Sequence, residues 1–234
     1  FLPEYGLNEL PLPIEKKQKM NFPKFPGNAQ SFHTELKKRI NDYFHEAGKA
    51  YTGNFQLYFK AIVLVLAYVA VYTHLVFYTP VTWLALLECV VLGGLTAAIG
   101  FNIMHDGMHG SFSKHKWINY VAGLSLNFLG ANNFMWKTKH NIIHHTYTNI
   151  EGLDDDIEAR PLLRLCDTQK YYKIHRFQHW YFWAAYSLLY IWWVFVTDYK
   201  KYFLKKIGSV PLKPMHIWDH ISFWGFKILH IFIF

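Results

Sequence analysis

Cysteine is nearly missing from this chain. Cys89 and Cys166 are the only two in 234 residues, too few for a disulfide framework and uninformative about the redox compartment. Charge is also scarce, at 17% of residues, against 52% hydrophobic and 19% aromatic, a balance that excludes an ordinary soluble domain. No HExxH occurs, so a zincin-type protease site is excluded. The opening 30 residues are polar and proline-rich, without the pattern of a secretory signal.

What is present is apolar sequence in blocks. Ala61 to Tyr78 and Trp180 to Thr197 carry no Lys, Arg, Asp or Glu; Val81 to Met104 carries only Glu88, and Ile221 to Phe234 begins a further block. A span needs roughly 20 mostly apolar residues. The pattern predicts an all-α integral membrane protein, multi-pass, with spans over about 60–78, 82–104, 180–197 and 217–234, the last incomplete. The net charge of +8 reads as basic flanks of those spans rather than a nucleic-acid footprint.

Residues 1–30 read as a poorly ordered extension, with 1–19 lying upstream of Met20. The domain proper begins at Ser31, an N-cap for an amphipathic helix over 31–47. Its apolar residues Phe32, Leu36, Ile40, Tyr43, Phe44 and Ala47 oppose Lys37, Lys38 and Arg39, which suits a helix on the bilayer surface or on the cytoplasmic head. A turn at Thr79–Pro80 pairs the first two spans antiparallel. Residues 117–135, interrupted by Asn119, Gly123, Asn127, Gly130, Asn132 and Asn133, are expected to stay interfacial. That arrangement sends the lysine-rich 200–213 segment to the side away from the histidines, against the positive-inside tendency.

The histidines carry the chemistry. His105 and His109, at the end of the second span, are four apart, as are His140 and His144. On an α-helix that spacing stacks two imidazoles about 6 Å apart, within reach of one metal ion. His145 follows about 100° further round and suits a neighbouring ion. Asp106, Asn141 and the Asp154–Asp156 run, Asp155 and Asp156 above all, are candidates to fix ring tautomers from behind. His175 and His179 repeat the spacing where a helix enters the membrane and read as interfacial. His33, His45, His74, His115, His216, His220 and His230 read as surface, interface or packing residues.

The motifs "HDGMH" and "HNIIHH", with "FPGNAQSFHTELKKRIN", "FMWKTKHNIIHHTYTNIEGLDDDIEARPLLRL" and "TQKYYKIHRFQH", resemble the membrane fatty acid desaturases, in particular the bacterial linoleoyl-CoA desaturase-like branch. The resemblance implies a four-span bundle with a cytoplasmic histidine-bearing cap. It also implies two iron ions with His105, His109, His140, His144 and His145 among their ligands, five imidazoles being too few to hold both in the family's manner, and O2 and external electrons as co-substrates. The implied reaction introduces a cis double bond into a fatty acyl chain carried as acyl-CoA or acyl-lipid. Electrons would come from a separate donor of cytochrome b5 or ferredoxin type with its reductase, since no fused carrier domain is visible.

Lys114, Lys116, Lys137, Lys139, Arg160 and Arg164 suit the phosphates of a CoA headgroup, or simply reflect positive-inside bias. The family's third box, (H/Q)xxHH, does not occur before Phe234, so this chain alone is expected to be inactive. A histidine-rich membrane hydroxylase and a haem-binding membrane electron carrier are the alternative readings.

Overall fold

The computed structural model describes Pro23, residues 32–79 and residues 81–234. The expected N-terminal extension, apart from Pro23, the Ser31 cap and Pro80 of the first turn lie outside the described residues.

Helix α1, Phe32–Glu46, has no buried residue. Phe32, Leu36, Ile40 and Tyr43 form an exposed apolar stripe, so α1 does not pack on the histidine-bearing head. Helix α2, Phe55–Phe77, starts where the Asn54 side chain accepts the Leu57 N–H at 3.0 Å, an N-cap that satisfies an otherwise orphaned donor. Helix α3 runs Thr82–Met108. These two are long and apolar enough to cross a membrane, matching the expected stretches 60–78 and 82–104. They run antiparallel, as two polar contacts at opposite ends show: Lys60 Nζ to Asn102 Oδ1 at 2.7 Å and His74 Nδ1 to Glu88 Oε1 at 2.6 Å. Most of their apolar side chains face outward, as lipid contact requires.

Helix α4, Lys116–Phe128, folds back along the end of α3. A Cβ on Gly107 would lie 2.7 Å from Ala122 Cβ and 2.8 Å from Asn119 O, so only glycine permits this approach. Gly130 turns the chain at φ +92°, with its backbone against the His230 ring. Helix α5 then rises over residues 133–147, capped by Asn132 accepting the Met135 N–H at 3.1 Å.

A long helical rod, α6, covers residues 178–204. A short hairpin of Lys206–Ile207 and Val210–Pro211 follows, then α7, Ile217–Ile233. The expected spans 180–197 and 217–234 are thus helical.

The 200–213 segment departs from expectation. Ile207, Val210 and Leu212 join Met135, Ile143, Tyr147 and Phe223 in one buried cluster, and Lys201 Nζ bonds Asp155 at 2.6 Å. The segment therefore sits against the histidine-bearing helix rather than on the far side. This is the side that the loop's charge favours; the contrary expectation came from the arrangement of spans, and burial of Ile207, Val210 and Leu212 secures the placement. Deeper in, Lys227 of α7 is buried and bonds Gly130 O, Val194 O and Asp198 Oδ2 at 2.6, 2.7 and 2.9 Å, fastening α6, α7 and the α4–α5 turn together.

Candidate metal centre

Both histidine groups sit next to wide helical turns. Gly100–Met104 and Thr138–His144 wind as π-helix, and the His105 and His145 N–H groups reach back five residues to Gly100 O and His140 O. Wide turns of this kind favour functional sites because they re-aim side chains. The α-helical spacing argued from sequence holds for the residue pairs, but the actual winding through 138–144 is wider than 3.6 residues per turn.

The structure brings all five histidines together. Ring centroids of His105 and His109 lie 4.5 Å apart, and each lies 5.3 Å from His140. His145 lies 5.0 Å from His109 and 4.8 Å from His140, and His144 stacks on His140 at 5.2 Å. Two groups have ligand atoms within 4.8 Å of one another: His105, His109 and His140, and His140, His144 and Asp156. His140 belongs to both. The Nε2 atoms of His109 and His140 are buried without a hydrogen-bond partner. Orphaned buried acceptors of this kind are costly unless something occupies them, and converging imidazole nitrogens with one carboxylate suit iron.

Electrostatics agree with metal-ready rings. Burial, then the neighbouring His105, His140 and His145, push His109 down to about 4 from the usual 6.5. Burial, followed by His140 and His144, also lowers His145. Neutral imidazoles are the form that binds a metal. Burial alone would raise the Asp156 carboxyl, but His140 and the Lys139 ammonium override it and hold it below the usual carboxylate range.

The surrounding groups divide differently from the sequence-based expectation. Asp154, buried, takes His144 Nδ1 at 3.0 and 3.1 Å and is itself held by the N–H groups of Asn149 and Asp156 at 2.7 and 3.0 Å. It is the carboxylate that fixes a ring tautomer. Asp156 faces His144 at 3.2 Å and Lys139 at 2.5 Å. Asp155 turns away to Lys201.

Asp106 comes no nearer than 3.7 Å to His105 Nδ1, beyond hydrogen-bond reach; its carbonyl instead closes the following turn on Ser111 and Phe112. Asn141 binds no ring. Its Nδ2 donates to Met108 O at 2.9 Å, strapping the second histidine group to the first. His175 caps its own turn, accepting from Tyr172 N–H with its Nε2 on Pro161 O. Trp136 was not anticipated. It stacks on His140 at 4.4 Å and packs edge-on to His105 and His109; its place one helical turn before His140 was the available signal.

Of the basic residues, Arg160 pairs with Glu158 and Glu151. Arg164 is spent on the carbonyls of Asp167 and Gln169, and Lys139 on Asp156. Lys137 is exposed on α5.

Residues 81–232 match the family model described as fatty acid desaturase. The chain belongs to the fatty acid desaturase family. It is 35% identical over 209 residues to an sn-1 linoleoyl-lipid 6-desaturase of Arthrospira platensis, covering 89% of this chain and 56% of the relative. It is 32% identical over 200 residues to the protein of the same name in Synechocystis sp., covering 86% and 56%. To an acyl-lipid (8-3)-desaturase of Physcomitrium patens it is 30% identical over 209 residues, covering 87% and 43%. The chain thus spans about half the length of these curated relatives. No solved structure is significantly similar to it. This member of the family has two apolar helices long enough to cross a membrane and a histidine cluster whose ligand atoms converge.

Proposed function

We propose that this chain supplies part of an iron centre that desaturates a fatty acyl chain. The observation that carries the reading is the convergence of His105, His109, His140, His144 and His145, with buried, unpartnered Nε2 atoms, at the end of an apolar helix pair. His105, His109 and His140 would hold one iron, and His140, His144 and Asp156, with His145 alongside, a second. When bound, iron supplies the oxidising power that no side chain has for removing hydrogen from unactivated CH2 groups. The balance is one O2, two external electrons and two protons for one new carbon–carbon double bond and two waters.

The chain's own residues hold and orient. Asp154 fixes the His144 tautomer, Asn141 sets the separation of the two helices, and Trp136 walls the cluster and excludes water. The names of the relatives favour an acyl-lipid over an acyl-CoA substrate. The internal pairing of Arg160, Arg164 and Lys139 likewise leaves them poorly placed for CoA phosphates. Electrons come from a separate carrier of cytochrome b5 or ferredoxin type. The helices α2 and α3 cross the membrane, and the histidines face the cytoplasm. A haem reading fits poorly, because ring centroids about 5 Å apart leave no gap for a macrocycle.

Expression of the gene at full length, with whatever coding sequence follows Phe234, in a host with simple membrane lipids, followed by mass spectrometry of the fatty acids, tests the reading. New lipid-bound polyunsaturated species, lost in His140→Ala, are expected. A hydroxylated product would favour the oxygenase. An unchanged profile from protein that has bound iron would contradict the proposal.

A further inference from the structure

The rod α6 is apolar, about 30 Å long between Tyr181 and Lys201 at the helical rise per residue, and so about as long as a bilayer core is thick. By length it could cross. Its tethers say otherwise. Near its start, Gln178 Nε2 donates to Arg164 O at 3.1 Å and Tyr181 Oη to Leu162 O at 2.7 Å. Near its end, Lys201 Nζ bonds Asp155 at 2.6 Å. Both ends are therefore tied to one loop, residues 155–164, which runs alongside the rod.

That loop contains Asp155, Asp156, Glu158, Arg160 and Arg164, and the side chains of Asp156, Glu158 and Arg160 are about a third exposed, at 32%, 36% and 39%. Were α6 to cross, these partly exposed charges would pass through the hydrocarbon, where Asp, Glu and Arg are costly and rare. Two further observations agree. The rod does not run alongside α2 or α3 as a third member of a bundle would. Its Trp and Tyr residues run from Trp180 and Tyr181 through Tyr186 and Tyr190 to Tyr199 and Tyr202, all along its length rather than only at two ends, where a crossing helix keeps its interfacial aromatics.

We propose that α6 lies in the plane of the bilayer, at the headgroup boundary of the histidine-bearing leaflet, with its exposed aromatic side chains in lipid. Both its ends, the acidic loop and the lysine-rich 200–213 segment then lie on one side. The conflict with the positive-inside tendency disappears, and α7 enters the membrane from that same side. The placement rests on α2 and α3 crossing the membrane.

Accessibility of single cysteines tests it in the full chain, with Cys89→Ser and Cys166→Ser as background. Lys173→Cys precedes the rod, Lys206→Cys follows it, Glu158→Cys marks the acidic loop and Tyr78→Cys marks the α2–α3 turn; all four positions are exposed. Sealed vesicles of known orientation are treated with a membrane-impermeant maleimide. Labelling of Lys173→Cys, Lys206→Cys and Glu158→Cys from one face, and of Tyr78→Cys only from the other, is the expected result. Lys173→Cys and Lys206→Cys reacting from opposite faces would overturn the in-plane placement while leaving the α2–α3 pair intact. Tyr78→Cys reacting from the same face as the others, with the protein released by alkaline carbonate, would overturn the membrane reading and this placement with it.

Discussion

At the scale of single residues, Asp154 and His109 bear the sharpest predictions. Among the described residues the Asp154 carboxylate bonds His144 and two backbone N–H groups, so its charge serves to orient and polarise that ring. Asp154→Asn keeps the shape and removes the charge. It should weaken iron binding by roughly 10–100-fold, measurable by competition against a coloured chelator; unchanged affinity would reduce Asp154 to a brace for its loop. The depressed His109 makes a separate prediction. Folded His109 titrates at about 4 and the unfolded residue near 6.5, so between these values the unfolded chain binds the extra proton. Stability is thus complete above about 6.5 and is lost as pH falls through this window. The metal-free protein in detergent should show a Tm that drops on acidification from pH 6.5 to 4, less steeply in His109→Phe. A flat Tm across that range would contradict the burial assigned to the ring.

At the scale of elements, the close contact of α3 with α4 and the fastening of α6 to α7 hold the histidine helices in place. Gly107→Val would drive a side chain into Ala122 and the Asn119 carbonyl. The expected cost is about 1–3 kcal/mol of stability, with a parallel loss of bound iron because His105 and His109 flank the site of strain. The buried Lys227–Asp198 pair is a harsher case. Lys227→Met leaves the buried Asp198 without its counter-ion, held by the Trp193 Nε1–H at 3.0 Å, which should cost about 3–5 kcal/mol, whereas Lys227→Met with Asp198→Leu should recover most of it. Denaturant or thermal unfolding in detergent compares the two; equal destabilisation would mean the pair matters for its hydrogen bonds to Gly130 and Val194. The sequence made the helices and the His-x-x-x-His pairs legible, because hydrophobic blocks and residue spacing are local signals. It did not disclose the π-helical winding at 100–104 and 138–144. Such a turn absorbs a residue to satisfy the packing of Trp136 on His105 and His109 and the Asn141–Met108 strap, contacts between segments far apart in the chain.

At the scale of the whole molecule, family membership, membrane character and the candidate metal residues were readable in advance, since five histidines at two helix ends have few other uses. The placement of residues 200–213 was not. The arrangement of spans sent that segment away from the histidines although its charge favoured their side, and Ile207 and Val210 are fully buried against α5, a decision made by tertiary packing. The same packing turned Asp154 and Asp156 toward His144 and Asp155 toward Lys201, which no spacing rule distinguishes. The molecule that results has an apolar helix pair, a histidine cluster at its end, an acidic loop beside the cluster, and a hairpin packed on the apolar side of the histidine-bearing helix α5.

The central claim is that the two histidine groups form one iron centre with His140 shared between them. It is tested most directly by metal analysis of the detergent-purified protein after anaerobic loading with Fe(II), beside His140→Ala, His105→Ala and His144→Ala. The account predicts iron in the intact chain, partial loss in His105→Ala and His144→Ala, and the greatest loss in His140→Ala. Iron retained in His140→Ala at the level of the intact protein, or no iron bound by the intact protein, would contradict it.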